Sequence, residues 1–196
     1  MKQKVRITFT EGVLGTCATN KEIYTEFIAS KAPDAKTTEE EVEALGVDEV
    51  AEKGMTIFPK TEDGIPYLYD YQVKGFFKGA CSFLRMVTGS ESAKVKAYKK
   101  KIDGTIFVSP RRIEFNNYGE IKKCERPLRA QTMQGERVSL ACSEEIPAGS
   151  YIDFEVELLN ESDFGLLLEW LDYGEKSGIG QWRNSGKGRF TYELLD

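Results

Sequence analysis

Apolar and polar residues alternate over Val5–Phe9 (VRITF), which predicts a half-buried first strand. Glu11 to Asn20 reads as a loop with two glycines. Asn20 is a good N-cap for a helix over Lys21–Lys31, where Ile23, Phe27 and Ile28 share a face and Pro33 ends the run. Thr38 starts an acidic helix (TEEEVEALGVDEVAEK), interrupted by Gly46 and stopped at Gly54, with Glu39 to Glu41 at the positive end of its dipole. Met55–Lys60 is a short extended piece before a turn at Glu62–Gly64.

The next segment predicts a helix over Tyr71–Val87 capped by Asp70, with Val73, Phe76, Phe77, Ala80, Leu84 and Val87 as its buried stripe. Lys74, Lys78 and Arg85 fall on a different face. Gly75 and Gly79 cost roughly 1 kcal/mol each inside a helix, so they suggest close approach of something to the backbone. Lys94–Lys101 is polar and basic, and Thr105–Val108 and Arg112–Phe115 make two short strands around Ser109, Pro110 and Arg111. Residues 116–136 show no period and read as an exposed basic arm carrying Lys122, Lys123, Arg126 and Arg129. Arg137–Cys142 and Tyr151–Leu159 are strands joined by the turn Pro147–Ser150. Ser162 caps a helix through Leu171 with Leu166, Leu167, Trp170 and Leu171 inward, and the last strand is Arg189–Leu195.

Without its insertions this order is strand, helix, strand pair, helix, strand. The strand pair is taken as Arg137–Cys142 with Tyr151–Leu159. That is the split βαβ of an α+β, ferredoxin-like (RRM-like) core with an antiparallel sheet. Residues 20–64 then form an acidic helical insertion after the first strand, and residues 104–136 a hairpin or thumb-like insertion, all within one domain spanning 1–196. A different α+β arrangement is the alternative.

Composition narrows the chemistry. The 196 residues include no histidine, so Ser/His/Asp and Cys/His triads and imidazole zinc sites lack their central residue. Cys17, Cys81, Cys124 and Cys142 have no C-x-x-C spacing and read as buried reduced thiols. No apolar run is long enough to span a bilayer and Met1–Glu11 is a charged strand pattern, so a soluble, cytoplasmic protein with no membrane partner is expected.

The net charge of −5 conceals a segregation: residues 71–140 carry 15 Lys and Arg against 6 acids, a surplus of +9. Residues 34–64 and 144–175 hold ten acids each. A second basic patch, Lys176, Arg183, Lys187 and Arg189, contains no acid.

That patch lies in Gly174–Gly188 (GEKSGIGQWRNSGKG), which holds five glycines. Glycines expose backbone N–H groups and admit a phosphate closely, cations supply charge, and Trp182 offers a stacking face. A Walker motif is excluded, because helix precedes and strand follows and Gly188 stands where Ser or Thr belongs. From composition alone, a mobile connection competes equally with a nucleic-acid loop.

Three stretches resemble the RAMP superfamily of CRISPR proteins, in particular the repeated backbone subunit of type III effector complexes. Ile65–Lys78 (IPYLYDYQVKGFFK) is similar to that family's I-P-G-S-S-L-K-G-x-x-R helix start, with Lys74 and Gly75 at the Lys-Gly and Lys78 at the Arg. Glu136–Leu158 resembles the segment after the family's thumb, and Gly178–Phe190 its terminal glycine loop. Two departures stand out. Asp70-Tyr71-Gln72 replaces Gly-Ser-Ser, and residues 11–22 offer Glu11 and Glu22 but no aspartate where cutting members carry one.

The resemblance implies a noncatalytic protein, free of cofactor and metal, that holds a guide-like single-stranded RNA by its backbone. It would assemble with copies of itself or with other effector subunits in antiviral defence. The implied contacts are Lys74, Lys78, Arg85, Arg111, Arg112, Lys122, Lys123, Arg126, Arg129, Lys176, Trp182, Arg183, Lys187 and Arg189, with Gly178, Gly180, Gly186 and Gly188 forming the loop. An alternative keeps the fold without RNA: a phage or mobile-element mimic that inhibits a defence complex or assembles through protein contacts. A metal-dependent RNase using Glu11, Glu22 or Asp70 is the minor third reading.

Overall fold

Val5, Ile7 and Phe9 turn inward from the first strand while Lys4, Arg6 and Thr8 turn out, and the rest of the core follows that alternation. The computed structural model describes residues 1–18, 55–132 and 135–196. The helices expected at Lys21–Lys31 and from Thr38, with most of the acidic insertion, lie outside the described residues. In chain order the strands and helices are β1 (Lys2–Phe9), β2 (Val13–Leu14), β3 (Cys17–Ala18), β4 (Thr56–Ile57), β5 (Tyr67–Tyr69), α1 (Asp70–Leu84), α2 (Tyr98–Thr105), β6 (Ile106–Ser109), β7 (Arg112–Asn116), β8 (Lys122–Thr132), β9 (Gly135–Ile146), β10 (Tyr151–Leu158), α3 (Phe164–Ser177) and β11 (Phe190–Leu195). They divide into two compact units: Met1–Val13, Pro59–Glu120 and Ile146–Asp196 form the first, and Leu14–Phe58 with Ile121–Glu145 the second.

The first unit is an α+β assembly on a sheet of order β11-β1-β10-β7-β5, in which β6 also pairs with β10. All of these pairings are antiparallel. β6 covers Glu155–Leu158 of β10 and β7 covers Tyr151–Ile152, so the two short strands act as one interrupted neighbour. The inward face brings Ile106, Val108, Ile113, Phe115, Ile152, Phe154, Val156 and Phe190 against α1 and α3. Phe77 lies 5.5 Å from Trp170 and Phe76 lies 5.6 Å from Phe190, ring centre to ring centre, which packs the two helices on each other and α1 on β11.

Here the strand pairing differs from the sequence expectation. Tyr151–Leu158 pairs with β6 and β7, whereas β9, which contains Arg137–Cys142, pairs with β8 across eleven positions. Residues 106–116 therefore belong to the main sheet, and the unperiodic arm at 116–136 contains one strand of a long hairpin. Pro147–Ser150 still forms a turn, held by Gly149 N donating to Phe9 O at 2.8 Å and Phe9 N donating to Ser150 O at 2.8 Å.

The second unit is built on that β8–β9 hairpin. β4 pairs in parallel with β9 at Thr56–Ser143 and antiparallel with β3. The Thr56 and Ser143 hydroxyls are 2.7 Å apart, and Phe58 N donates to the Glu144 carboxylate at 2.9 Å.

A polar clasp ties α3 to the turn after α1. The Glu169 carboxylate accepts from Glu91 N at 2.7 Å, from Ser92 N at 2.9 Å and from the Ser92 hydroxyl, while Trp170 Nε1 donates to that hydroxyl at 3.0 Å. Ser92 is fully buried, so its donors have no water to turn to. Glu169→Ala is expected to cost about 2 kcal/mol, lowering the melting temperature by roughly 6 °C. Glu169→Gln, which keeps one acceptor, should lose less than half of that in the same thermal melt. Of the cysteines, Cys81 and Cys142 are buried with their thiols pushed up by that burial, and Cys17 and Cys124 are half-buried.

Candidate nucleic-acid interface

The glycine loop is a closed, anchored structure. Helix α3 ends with Gly178 N donating to Gly174 O at 2.8 Å, and the next residue, Ile179, buries its side chain. Ile179 N then donates to Gly188 O at 2.9 Å, closing the loop on itself. Gly188 N donates to Gly12 O and Thr10 N to Arg189 O, both at 2.9 Å, pinning the closure to the chain after β1. A Cβ on Gly188 would stand 1.9 Å from Ile179 O, and one on Gly178 would stand 2.5 Å from Lys187 O. These two glycines thus admit the loop's own backbone, where the sequence reading gave them to a phosphate. Between them, a 3-10 turn over Arg183–Ser185 follows Trp182, whose φ of 54° is left-handed, and lifts Trp182, Asn184 and Ser185 to the surface. Gly180 and Gly186 also have positive φ.

Beside this loop lies a cavity of about 360 Å³ lined by Phe83, Tyr173, Lys176, Ser177, Arg183, Asn184 and Arg189. Its described lining holds three cations, two near-parallel rings (Phe83 and Tyr173, 6.3 Å apart) and no carboxylate. The Arg183 guanidinium reaches over α1, 3.7 Å from where a Cβ on Gly79 would be. One turn back, no atom of the described residues outside the helix's own backbone and the adjoining residues lies within 4 Å of the Cβ position of Gly75. Tyr71, Gly75 and Gly79 share a helix face at i, i+4 and i+8. The structure therefore brings Lys176, Arg183 and Arg189 together, with Trp182 and Lys187 on the same loop.

The other expected contacts divide. Lys74 donates to Asp103 O at 3.2 Å and lies 5.0 Å from the Phe107 ring centre, and Lys78 pairs with the Asp103 carboxylate at 2.6 Å. Lys78 holds that carboxyl below its usual range. These two lysines are turned toward α2, where Lys78 is matched by the Asp103 carboxylate and Lys74 is held by a backbone carbonyl. Arg85 is exposed, with its guanidinium 5.2 Å from the Tyr98 ring centre.

Arg111 pairs with Asp70 and sits 5.4 Å and 5.5 Å from the ring centres of Tyr69 and Tyr71, while Arg112 sits 5.5 Å from that of Tyr67. Tyr67, Tyr69 and Tyr71 are not among the contacts that the sequence implies. The signal was Tyr-x-Tyr across Tyr67 and Tyr69, a period-2 pair running straight into a helix.

In the second unit Lys122 and Lys123 are exposed opposite Glu145 and Glu144, and Lys123 pairs with Glu125 at 3.0 Å. Arg129 lies in β8 opposite Val138. Arg126 corrects the expectation of an exposed arm cation: only 6% of it is exposed, and its Nη1 donates to the Ser143 hydroxyl at 3.1 Å. A guanidinium held inside the hairpin does not face a phosphate.

The face of the sheet away from α1 and α3 is basic along β1 and acidic along β10. Arg6 makes two 2.7 Å bonds to Asp153, Lys2 lies 2.9 Å from Glu155, and Lys4 donates to Asp196 O at 3.0 Å. Cations already matched by carboxylates are poor phosphate ligands, so this face is the weaker candidate. Glu11 is exposed, Asp70 is held by Arg111 and by Tyr71 N at 2.8 Å, and Glu22 lies outside the described residues. Among the described residues no group of three or more Cys, Asp or Glu side chains is arranged to hold a metal ion.

No family model and no curated protein matches this chain. A solved structure does. The chain aligns over its full length with 61% of a chain in the cryo-EM structure of the type III-B Cmr-beta bound to cognate target RNA, at a TM-score of 0.54 and 12% identity. What the two share is the fold. The likeness agrees with the mixed α+β core expected from the sequence and points to no particular member. No helix among the described residues is long and apolar enough to cross a membrane.

Proposed function

We propose that the chain is a noncatalytic, cytoplasmic RNA-binding protein with a single RAMP-like domain on a ferredoxin-like core. It holds the backbone of a guide-like single-stranded RNA without regard to sequence and assembles with copies of itself or other effector subunits. The observation that carries this reading is the cavity beside the glycine loop. Lys176, Arg183 and Arg189 meet there with two aromatic rings and no described carboxylate, a composition suited to phosphate together with a ribose or base. The strand order β11-β1-β10-β6/β7, with α1 and α3 on one face, supports the ferredoxin-like assignment. The β8–β9 hairpin takes the thumb's role, with Lys122, Lys123 and Arg129 as its cations.

Binding of labelled single-stranded RNA across a salt series tests the proposal. Three phosphate contacts, one for each cation lining the cavity, predict that log affinity falls against log salt with a slope of about −2. Absence of binding at low salt would overturn the reading in favour of a protein-contact role. Metal-dependent shortening of the RNA would overturn its noncatalytic part.

A further inference from the structure

Tyr67, Tyr69 and Tyr71 make a graded aromatic series at the junction of β5 and α1. Tyr67 is 5% exposed and meets Tyr69 edge-on, with ring centres 5.2 Å apart at 89°. Tyr69 and Tyr71 lie near-parallel, 5.2 Å apart at 17°, and Tyr71 is 51% exposed. The series thus runs from the protein interior to an outward-facing ring.

The Arg111 guanidinium is 5.4 Å from Tyr69 and 5.5 Å from Tyr71, so with the 5.2 Å ring separation the three centres form a nearly equilateral triangle. A guanidinium on the outer face of Tyr71 would be two stacking distances from Tyr69. Arg111 therefore stands beside the pair and leaves that outer face clear of itself. Core formation accounts for Leu68, which is buried opposite Ile113, and for Tyr67, but not for a half-exposed Tyr71.

We propose that this series is a stacking platform for one nucleobase of single-stranded RNA. The base lies on the outer face of Tyr71, the half-exposed end of the series. The inference rests on the RNA-binding reading and adds a base contact to a backbone one. Tyr69 fixes the plane of Tyr71, and Asp70 steadies Arg111 at the edge of the stack. Every base has a stacking face, so the platform tolerates any sequence and requires only a base.

The test uses the full chain and a uridine oligonucleotide containing one 2-aminopurine, beside an oligonucleotide of the same length that is abasic throughout. The parent protein should quench 2-aminopurine fluorescence on binding. Tyr71→Ala should bind about tenfold more weakly and lose the quenching, while Tyr71→Phe, which keeps the ring, retains both. The abasic oligonucleotide should bind the parent protein as weakly as the intact one binds Tyr71→Ala. Tyr71→Ala with parental affinity and quenching would overturn the platform and leave RNA binding standing. No binding of either oligonucleotide to the parent protein would overturn both.

Discussion

Gly188→Ala is expected to lower the melting temperature by roughly 10 °C, the consequence of about 3 kcal/mol of lost stability. Two costs combine at this residue. Its φ of +72° lies where a side chain meets the backbone, and its Cβ would stand 1.9 Å from the Ile179 carbonyl oxygen. That oxygen belongs to the strand of loop closed by Ile179 N and Gly188 O, so relief means opening the closure. Gly186→Ala is the matched control. Its φ is +87°, but the nearest atoms to a Cβ belong to the flexible Arg189 side chain at 3.6 Å, so only the conformational cost, about 1 kcal/mol, remains. A thermal melt of both chains reads the difference. Equal melting temperatures would mean that the closure contributes nothing to the loop's order.

Reversing Arg183 and Arg189 together to glutamate should weaken RNA binding at least a hundredfold without changing the melting temperature by more than a few degrees. These are two of the three cations lining the cavity, and Arg189 is exposed. Removing two phosphate contacts should also flatten the salt slope by about 1.4. The Arg189 carbonyl that anchors Thr10 stays in place, since the substitution alters only the side chain. Lys4→Glu, on the carboxylate-rich face of the sheet, should change affinity less than twofold in the same anisotropy titration.

Much of the fold was legible because its inward faces keep strict periods. Val5–Phe9, Tyr151–Leu158, the α1 stripe from Val73 to Ala80 and the α3 face of Leu166, Leu167, Trp170 and Leu171 all fall where alternation or helical spacing puts them. What alternation does not encode is the partner. Arg137–Cys142 has the pattern of a sheet strand and a turn leading to β10, but the register that buries Ile106, Val108, Ile113 and Phe115 gives that position to β6 and β7. Strand β8 was illegible for the opposite reason: KKCERPLRAQT has no period, and its pairing comes from β9.

The candidate site divides along the same line. The glycine and cation content of Gly174–Gly188 marked the loop, yet that content alone does not separate glycines that close the backbone from glycines that face a ligand. Helical spacing puts Lys74 and Lys78 on one face, but Asp103, twenty-five residues beyond Lys78, holds both, its carboxylate pairing with Lys78 and its backbone carbonyl accepting from Lys74, and no local pattern reveals that. Charge alone puts Arg126 on the surface, whereas the structure buries it with Nη1 on the Ser143 hydroxyl.

Photocrosslinking of a 4-thiouridine-substituted single-stranded RNA, followed by mapping of the joined peptides, tests the central claim most directly. An RNA lying on the open face of α1 and against the glycine loop should crosslink within residues 71–83 and 173–189, and the Arg183→Glu, Arg189→Glu chain should lose those products. Crosslinks confined to β1 and β10, on the face of the sheet away from α1 and α3, would contradict it.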